Sequence, residues 1–167
     1  MGIDPGVANM GFGVVRVAGG RMSAIDGGVI EAQADEPIEG RLARIHQELA
    51  TLMAWHQPVA LALESVYFGK NVRSAIAVGQ ARGVALLTAA QRHVPCFDYT
   101  PQAVKMSVCG SGSAEKRQVQ RMVGVLLGLP QPPESDHAAD ALGVAICHAA
   151  HRRPADAFQR DREAQLG

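Results

Sequence analysis

The chain has 167 residues, with 16 Lys and Arg against 16 Asp and Glu, so its formal net charge at pH 7 is zero. Hydrophobic residues make up 47% and charged residues 19%, which suits one α/β domain and leaves little room for a second. No apolar run reaches transmembrane length and no basic leader precedes a cleavage site, so we expect a soluble, cytoplasmic protein without a membrane partner.

The three cysteines are scattered and form no Cys-x-x-Cys pair. They are Cys96, Cys109 and Cys147. An odd number at such spacing favours reduced thiols over a disulfide framework.

The zero net charge hides an uneven distribution along the chain. Residues 1–64 carry four basic and eight acidic side chains, residues 65–125 carry eight and two, and residues 126–167 carry four and six. The three balances are therefore −4, +6 and −2. This pattern is compatible with a basic surface beside an acidic centre, and equally with ordinary solvated helix faces.

The first third of the chain predicts a β-hairpin. Gly11–Ala18 and Met22–Glu31 are rich in Val and Ile and are separated by a Gly-Gly-Arg turn. Gly2–Asp4 forms a third, very short strand in this interpretation. Because only one apolar residue precedes Asp4, we expect native residues to precede this start.

A helix and a buried strand follow. Leucine, isoleucine and methionine recur at helical spacing over residues 38–56, before Pro58. Val59–Glu64 is an apolar run that ends in a carboxylate. A strand, helix, strand crossover of this length returns parallel to a strand already in the sheet, so Asp4 and Glu64 become neighbours if the first strand is the partner.

Residues 71–92 form a second predicted helix, whose apolar surface is rich in small side chains. This surface packs on the sheet or also supplies a dimer contact, and the sequence leaves both open. Val94–Tyr99 then reads as a strand and Pro101–Val108 as a helix.

The remaining elements are helical. Ser113–Lys116 carries a capping-box pattern at the start of a helix that runs to about Leu127. Residues 130–133 form a linker and residues 135–150 the last helix. The tail from Arg152 alternates in charge without an apolar period, and we expect it to be frayed.

Three acids stand where a metal-dependent nuclease needs them: Asp4 and Glu64 at strand ends, and Asp140 on the last helix. If they converge, their mutual repulsion favours a bound divalent cation, and hard oxygen ligands favour Mg²⁺ or Mn²⁺. Either His137 or Asp136 can accompany Asp140 towards the metal. Asp136, preceded by Ser135, also suits a role in capping the helix or complementing its dipole.

The chain resembles the RuvC family of Holliday-junction resolvases over about residues 2–150. The likeness rests on six ordered motifs: Gly2–Gly6 with Gly11–Val14, Glu64–Asn71, Gly79–Val84, Val104-Lys105, Gly110–Lys116, and Ala138–Leu142. It implies an RNase H-like fold, with a five-stranded mixed sheet of antiparallel hairpin strands and parallel strands flanked by helices. We therefore expect a nuclease domain over residues 1–151, and the charge pattern of residues 152–167 favours a flexible C-terminal tail.

The resemblance also implies a function, which is paired nicking of symmetrically related strands of four-way DNA junctions during recombination and repair. We expect two Mg²⁺ ions per active site, with Mn²⁺ as a substitute, in a homodimer that works with a branch-migration helicase complex. The metal-binding positions carry over to Asp4, Glu64, His137 and Asp140. His137 is the departure, because many members have an aspartate there.

Further positions carry over to DNA contacts. Lys105 and Lys116 match lysines near the scissile phosphate, where a fixed cation stabilises the transition state, although each also suits a plain phosphate contact. Tyr67 matches an aromatic residue that stacks at the junction centre. The same surface is expected to include Lys70, Asn71 and Arg73.

Two other functional classes are compatible with parts of the pattern. A junction-binding module would keep the basic surface and lack catalysis. A nuclease for RNA or single strands would keep the acids and have little use for the Tyr67 loop. An ATPase of the sugar-kinase and actin type fits poorly, because 167 residues leave no space for its second lobe.

Overall fold

The computed structural model describes residues 1–33, 35–65 and 72–151, without the side chain of Arg73. The tail 152–167 and the expected DNA contacts Tyr67, Lys70 and Asn71 lie outside the described residues, as does the side chain of Arg73. The strands are β1 (Gly2–Asp4), β2 (Asn9–Ala18), β3 (Arg21–Glu31), β4 (Leu61–Glu64) and β5 (Cys96–Tyr99); the helices are α1 (Ile38–His56), α2 (Val72–Gln91), α3 (Pro101–Cys109), α4 (Lys116–Leu127) and α5 (Asp136–His151).

The strands form one mixed sheet in the order β3-β2-β1-β4-β5. β1, β2 and β3 pair antiparallel, whereas β4 runs parallel to both β1 and β5. The expected five-stranded mixed sheet is therefore confirmed, and so is the expectation that β4 returns beside β1. In the register of that pair Ile3 stands opposite Leu63, so Asp4 and Glu64 lie next to each other at the carboxyl ends of β1 and β4.

The two faces of the sheet are covered by different helices. Leu61 and Leu63 of β4 point into a core shared with α1 and α2, whereas Ala62 between them points into a core shared with α3, α4 and α5. This alternation is the period of two that a strand buried on both faces requires. The result is a sheet between two helical layers.

Helix α1 spans the residues that its periodicity predicts. Ile45, Leu49 and Met53 of this helix are buried. Gln57 adopts a left-handed conformation as the C-cap, with φ 44°, and Pro58 follows. A residue of this conformation followed by proline is a common helix stop.

Four boundaries differ from the expectation by two residues or more, and the first is that of β2, which begins at Asn9, two residues earlier than predicted. β4 and β5 each begin two residues later than predicted, and Pro95, which has no N–H for the ladder, immediately precedes β5. The prediction of a capping box at Ser113 is wrong, because α4 begins at Lys116 with Glu115 as its N-cap residue and has no side-chain hydrogen bond at the cap. The Ser113 hydroxyl pairs instead with Ser111, at 3.0 Å.

Helix α5 lies unusually close to β1 and β2. A Cβ built on Gly2 would stand 2.1 Å from the backbone oxygen of Ala141, and one on Gly11 would stand 2.0 Å from that of His137. Only glycine tolerates such an approach of two backbones. The first turns of α5 are thereby held beside the end of β1. In the described part of the chain, no helix is both long and apolar enough to span a membrane.

Candidate active site

Asp4 and Glu64 lie side by side at the ends of β1 and β4. The pKa of Glu64 is raised to about 7, first by burial and then by the negative charges of Asp4 and Asp140, against the opposing effect of Lys105 and Lys116. All four charged groups therefore lie within electrostatic reach of the Glu64 carboxylate. The acids that the sequence places far apart converge in the fold.

Helix α5 contributes His137 and Asp140, three residues apart on one face. His137 Nδ1 lies 2.7 Å from Asp4 Oδ2, so the ring N–H donates to that carboxylate. Burial raises the pKa of Asp140; Lys116 opposes this shift, and the charge of Asp4 adds to it. The close approach of α5 to β1 makes both interactions possible.

Lys105 of α3 and Lys116 of α4 complete the charged site. They line a cavity of about 180 Å³ together with Glu64 and Asp140. Lys116 Nζ lies 3.2 Å from Asp136 Oδ2 and 3.5 Å from Asp140 Oδ2. Burial by itself lowers the pKa of Lys116, but the hydrogen bond and charge of Asp136 and the charge of Asp140 outweigh it and raise the pKa above its usual value. Pro101, Val104 and Val119 form the apolar part of the wall.

The sequence left two roles open for Asp136, one as a metal ligand beside Asp140 and one at the start of α5, and the structure shows which contacts this residue makes. The Ser135 hydroxyl accepts from the backbone N–H of Ala138 at 3.4 Å, so Ser135 makes the side-chain cap. Asp136 stands in the first turn of α5, where its charge complements the helix dipole, and it pairs with Lys116. His137 is the residue of the two that contacts Asp4.

Arg82 of α2 is a site residue that the sequence reasoning missed. Its guanidinium donates to the backbone oxygen of Glu64 at 3.3 Å and to Asp98 Oδ1 at 2.5 Å. It thereby ties α2 to the ends of β4 and β5 and helps to hold Glu64. The sequence does mark this residue, because Arg82 is the one charged residue between positions 74 and 91, in a helix that is otherwise rich in apolar side chains.

The donor chemistry of the site suits a hard divalent cation. Three carboxylates and an imidazole are ligands that Mg²⁺ and Mn²⁺ accept. The pKa of Glu64 and the pKa of Asp140 are raised first by burial and also by neighbouring carboxylates, and a bound cation would favour the charged form of both groups. Among the described residues, however, no three candidate side chains stand ready to hold one ion. Asp4 pairs with His137, and Asp140 pairs with Lys116.

Comparisons with known proteins agree with this geometry. Residues 1–148 match the family model described as crossover junction endodeoxyribonuclease RuvC. The chain is 48% identical to the RuvC of Pelotomaculum thermopropionicum, over 90% of this chain and 92% of that one, and 47% identical to the RuvC of Thermomicrobium roseum, over 99% and 96%.

A solved structure supports the same assignment. It is described as T. thermophilus RuvC in complex with Holliday junction substrate, and it superposes with a TM-score of 0.84 at 38% identity, covering 89% of this chain and 90% of that one. The expected RNase H-like fold is thereby confirmed. The chain belongs to the RuvC family of crossover junction endodeoxyribonucleases, which are metal-dependent nucleases.

Proposed function

We propose that the protein is a structure-selective endonuclease that resolves four-way (Holliday) DNA junctions during recombination and repair. It hydrolyses phosphodiester bonds in two symmetrically related strands. The observation that carries the proposal is the convergence of Asp4, Glu64 and Asp140 on one site flanked by Lys105 and Lys116. Acids that repel one another beside fixed cations suit metal-dependent attack on a phosphate better than they suit binding alone.

Asp4, Glu64, His137 and Asp140 are the proposed metal ligands. We propose two Mg²⁺ ions per active site, with Mn²⁺ as a substitute; when bound, such ions activate water and stabilise the leaving oxygen. His137 would use Nε2 for an ion while Nδ1 keeps its bond to Asp4, an arrangement common at metal sites. Lys105 and Lys116 stabilise the charge that develops on the scissile phosphate.

The nuclease domain comprises residues 1–151 in this proposal, and the tail 152–167 is outside it. Tyr67 stacks at the junction centre, with Lys70, Asn71 and Arg73 on the same surface. Support comes from the family motif at residues 64–71 and from the relative solved with a Holliday junction. A homodimer suits a substrate with two equivalent strands. In this proposal the protein works in the cytoplasm together with a branch-migration helicase complex, which delivers the junction to the homodimer.

One assay separates this function from its rivals. The purified protein is incubated with a synthetic four-way junction, the matching linear duplex and single strands, each without metal, with Mg²⁺ and with Mn²⁺. We expect metal-dependent incision of two opposed strands of the junction alone. Binding without incision in either metal would indicate a junction-binding module, and incision of RNA or single strands would indicate a different nuclease.

A further inference from the structure

Lys116 stands between two carboxylates of α5. Its Nζ is 3.2 Å from Asp136 Oδ2 and 3.5 Å from Asp140 Oδ2. The two acids are four residues apart and therefore lie one above the other on the helix. Lys116 is the first residue of α4, so this pairing joins the starts of the two helices beside the cavity.

The two carboxylates differ in their relation to the cavity. Asp140 lines it with Glu64 and keeps 31% of its side chain exposed. Asp136 does not line it, and 57% of its side chain is exposed. The Asp140 carboxylate therefore belongs to the proposed metal site, whereas the Asp136 carboxylate lies outside the cavity and pairs with Lys116.

Lys116 needs a second partner if Asp140 is to bind a cation. A divalent ion held by Asp140 would take over that carboxylate and would repel the nearby ammonium group of Lys116. The Lys116 side chain is long and 56% exposed, so without another acid it would gain entropy by swinging into solvent. Asp136 is the other carboxylate that Lys116 pairs with in the described structure.

We propose that Asp136 is a positioning residue, which holds the Lys116 ammonium group at the mouth of the cavity while Asp140 binds metal. The inference rests on the proposed nuclease function and extends it to a residue outside the metal site. Asp136 touches neither the metal nor the phosphate. It acts through Lys116, so its contribution exists only while that lysine is present.

A double-mutant cycle tests this dependence. Single-turnover cleavage of a four-way junction is measured with saturating enzyme for the wild type, Asp136→Asn, Lys116→Ala and the double variant. We expect Asp136→Asn to slow cleavage by about twofold to fivefold, the range that loss of one exposed ion pair allows, with junction affinity unchanged or tighter. In the Lys116→Ala background the same change has no further effect. Asp136→Glu restores most of the rate.

The matched control is Glu134→Gln. Glu134 is an exposed acid two residues earlier, so the variant removes one equal charge from the same segment without touching Lys116. A readout independent of activity is the ¹³C relaxation of Lys116 Cε in the Mg²⁺-loaded protein. Asp136→Asn is expected to increase the mobility of this carbon, whereas Glu134→Gln leaves it unchanged.

Two outcomes overturn the inference. If Asp136→Asn slows cleavage equally in the wild-type and the Lys116→Ala backgrounds, the two residues act independently. A loss of Mn²⁺ affinity by calorimetry as large as that of Asp140→Asn makes Asp136 a metal ligand instead. Failure of the nuclease function looks different, because the wild type would then leave the junction uncut in both metals, while the relaxation measurement would still report whether Asp136 restrains Lys116.

Discussion

Glu64 shows at the scale of one residue how a buried carboxylate beside other acids opposes folding. The pKa of this carboxyl is raised from 4.5 to about 7, first by burial and then by the charges of Asp4 and Asp140. The folded state therefore binds more protons than the unfolded state between these values. The contribution of Glu64 to the stability of the metal-free protein therefore falls as pH rises from about 4.5 to 7 and stays unfavourable above that range.

Replacing Glu64 by Gln removes this penalty. We expect metal-free Glu64→Gln to be more stable than the wild type by about 1–3 kcal/mol at pH 8, with little difference at pH 4.5. Urea unfolding in the presence of EDTA at the two pH values measures it. Mg²⁺ should raise the Tm of the wild type and leave that of the variant almost unchanged. Glu31→Gln, an exposed acid of β3, is the control, and an equal gain there would contradict the argument.

Lys105 and Lys116 are expected to act in turnover rather than in anchoring DNA. Each lines the cavity that Glu64 and Asp140 share, where a fixed cation meets the developing charge. Replacement of either by Ala should lower single-turnover cleavage by about 100-fold, with junction affinity within about threefold of the wild type. Arg117→Ala, an exposed neighbour outside the cavity, should leave the cleavage rate unchanged. Loss of affinity with a smaller salt slope would instead mark a phosphate anchor.

His137 gives the site one negative charge fewer than an aspartate would. Imidazole is a softer donor than carboxylate, so we expect the present site to favour Mn²⁺ over Mg²⁺ more than a four-carboxylate site does. His137→Asp should lower the ratio of Mn²⁺-supported to Mg²⁺-supported cleavage. The ratio is measured on one junction at saturating metal. An unchanged ratio would show that His137 does not influence metal choice.

At the scale of secondary structure, the contact between α5 and the sheet decides the geometry of the site. Gly11 faces Asp4 across the β1–β2 pair and lies against the backbone of His137. A methyl group there would meet the His137 oxygen at 2.0 Å, which is backbone and cannot simply move aside. The separation of α5 from β1 therefore depends on a missing side chain.

Gly11→Ala is expected to push the start of α5 away from the sheet. The variant should lose about 1–3 kcal/mol of stability, as overpacking does, and lose more of its metal-induced rise in Tm, because Asp4 and His137 separate. Thermal unfolding with and without Mn²⁺ measures both effects. Gly40→Ala in α1 is the matched control, because its Cβ would make only ordinary contacts, at 3.9 Å and beyond. Equal behaviour of the two variants would contradict this account.

At the scale of the whole molecule, helix α2 has an apolar surface that residues 1–33, 35–65 and 72–151 leave exposed. Val72, Ile76 and Leu87 are 68%, 57% and 55% exposed, and Cβ atoms on Gly79 and Gly83 would meet nothing within 4 Å. The opposite side of α2 is buried against α1 through alanines. The structure thus allows both roles that the sequence left open for this helix, packing on the core and contact with a second copy.

Ile76→Asp is expected to prevent dimer formation through this surface, because it places a charge in an apolar contact. Sedimentation should show monomers of the variant, in contrast to the dimers that we expect of the wild type. The monomeric variant should also fail to cut both strands of a junction in one binding event. Val125→Asp provides the control, since Val125 is 71% exposed on α4, away from α2. A dimeric Ile76→Asp protein would place the interface elsewhere.

Much of this protein follows from the sequence alone, because the signals concerned are local or topological. The periodicity of apolar residues predicts α1 from Ile38 to His56, and the crossover rule predicts that β4 returns beside β1. These two facts already bring Asp4 and Glu64 together. The family motifs supply the remaining candidates, and the described structure brings Lys105, Lys116, His137 and Asp140 to the same place.

Tertiary structure decided which of these groups touch. Three side-chain interactions each join elements that are distant in the chain. They are the hydrogen bond between His137 and Asp4, the ion pairs of Lys116 with Asp136 and Asp140, and the hydrogen bond from Arg82 to the backbone oxygen of Glu64. The predicted capping box at Ser113 is absent, since α4 begins at Lys116 with Glu115 as N-cap and the Ser113 hydroxyl pairs with Ser111. Such pairings depend on distances between packed backbones, which no local pattern of residues records.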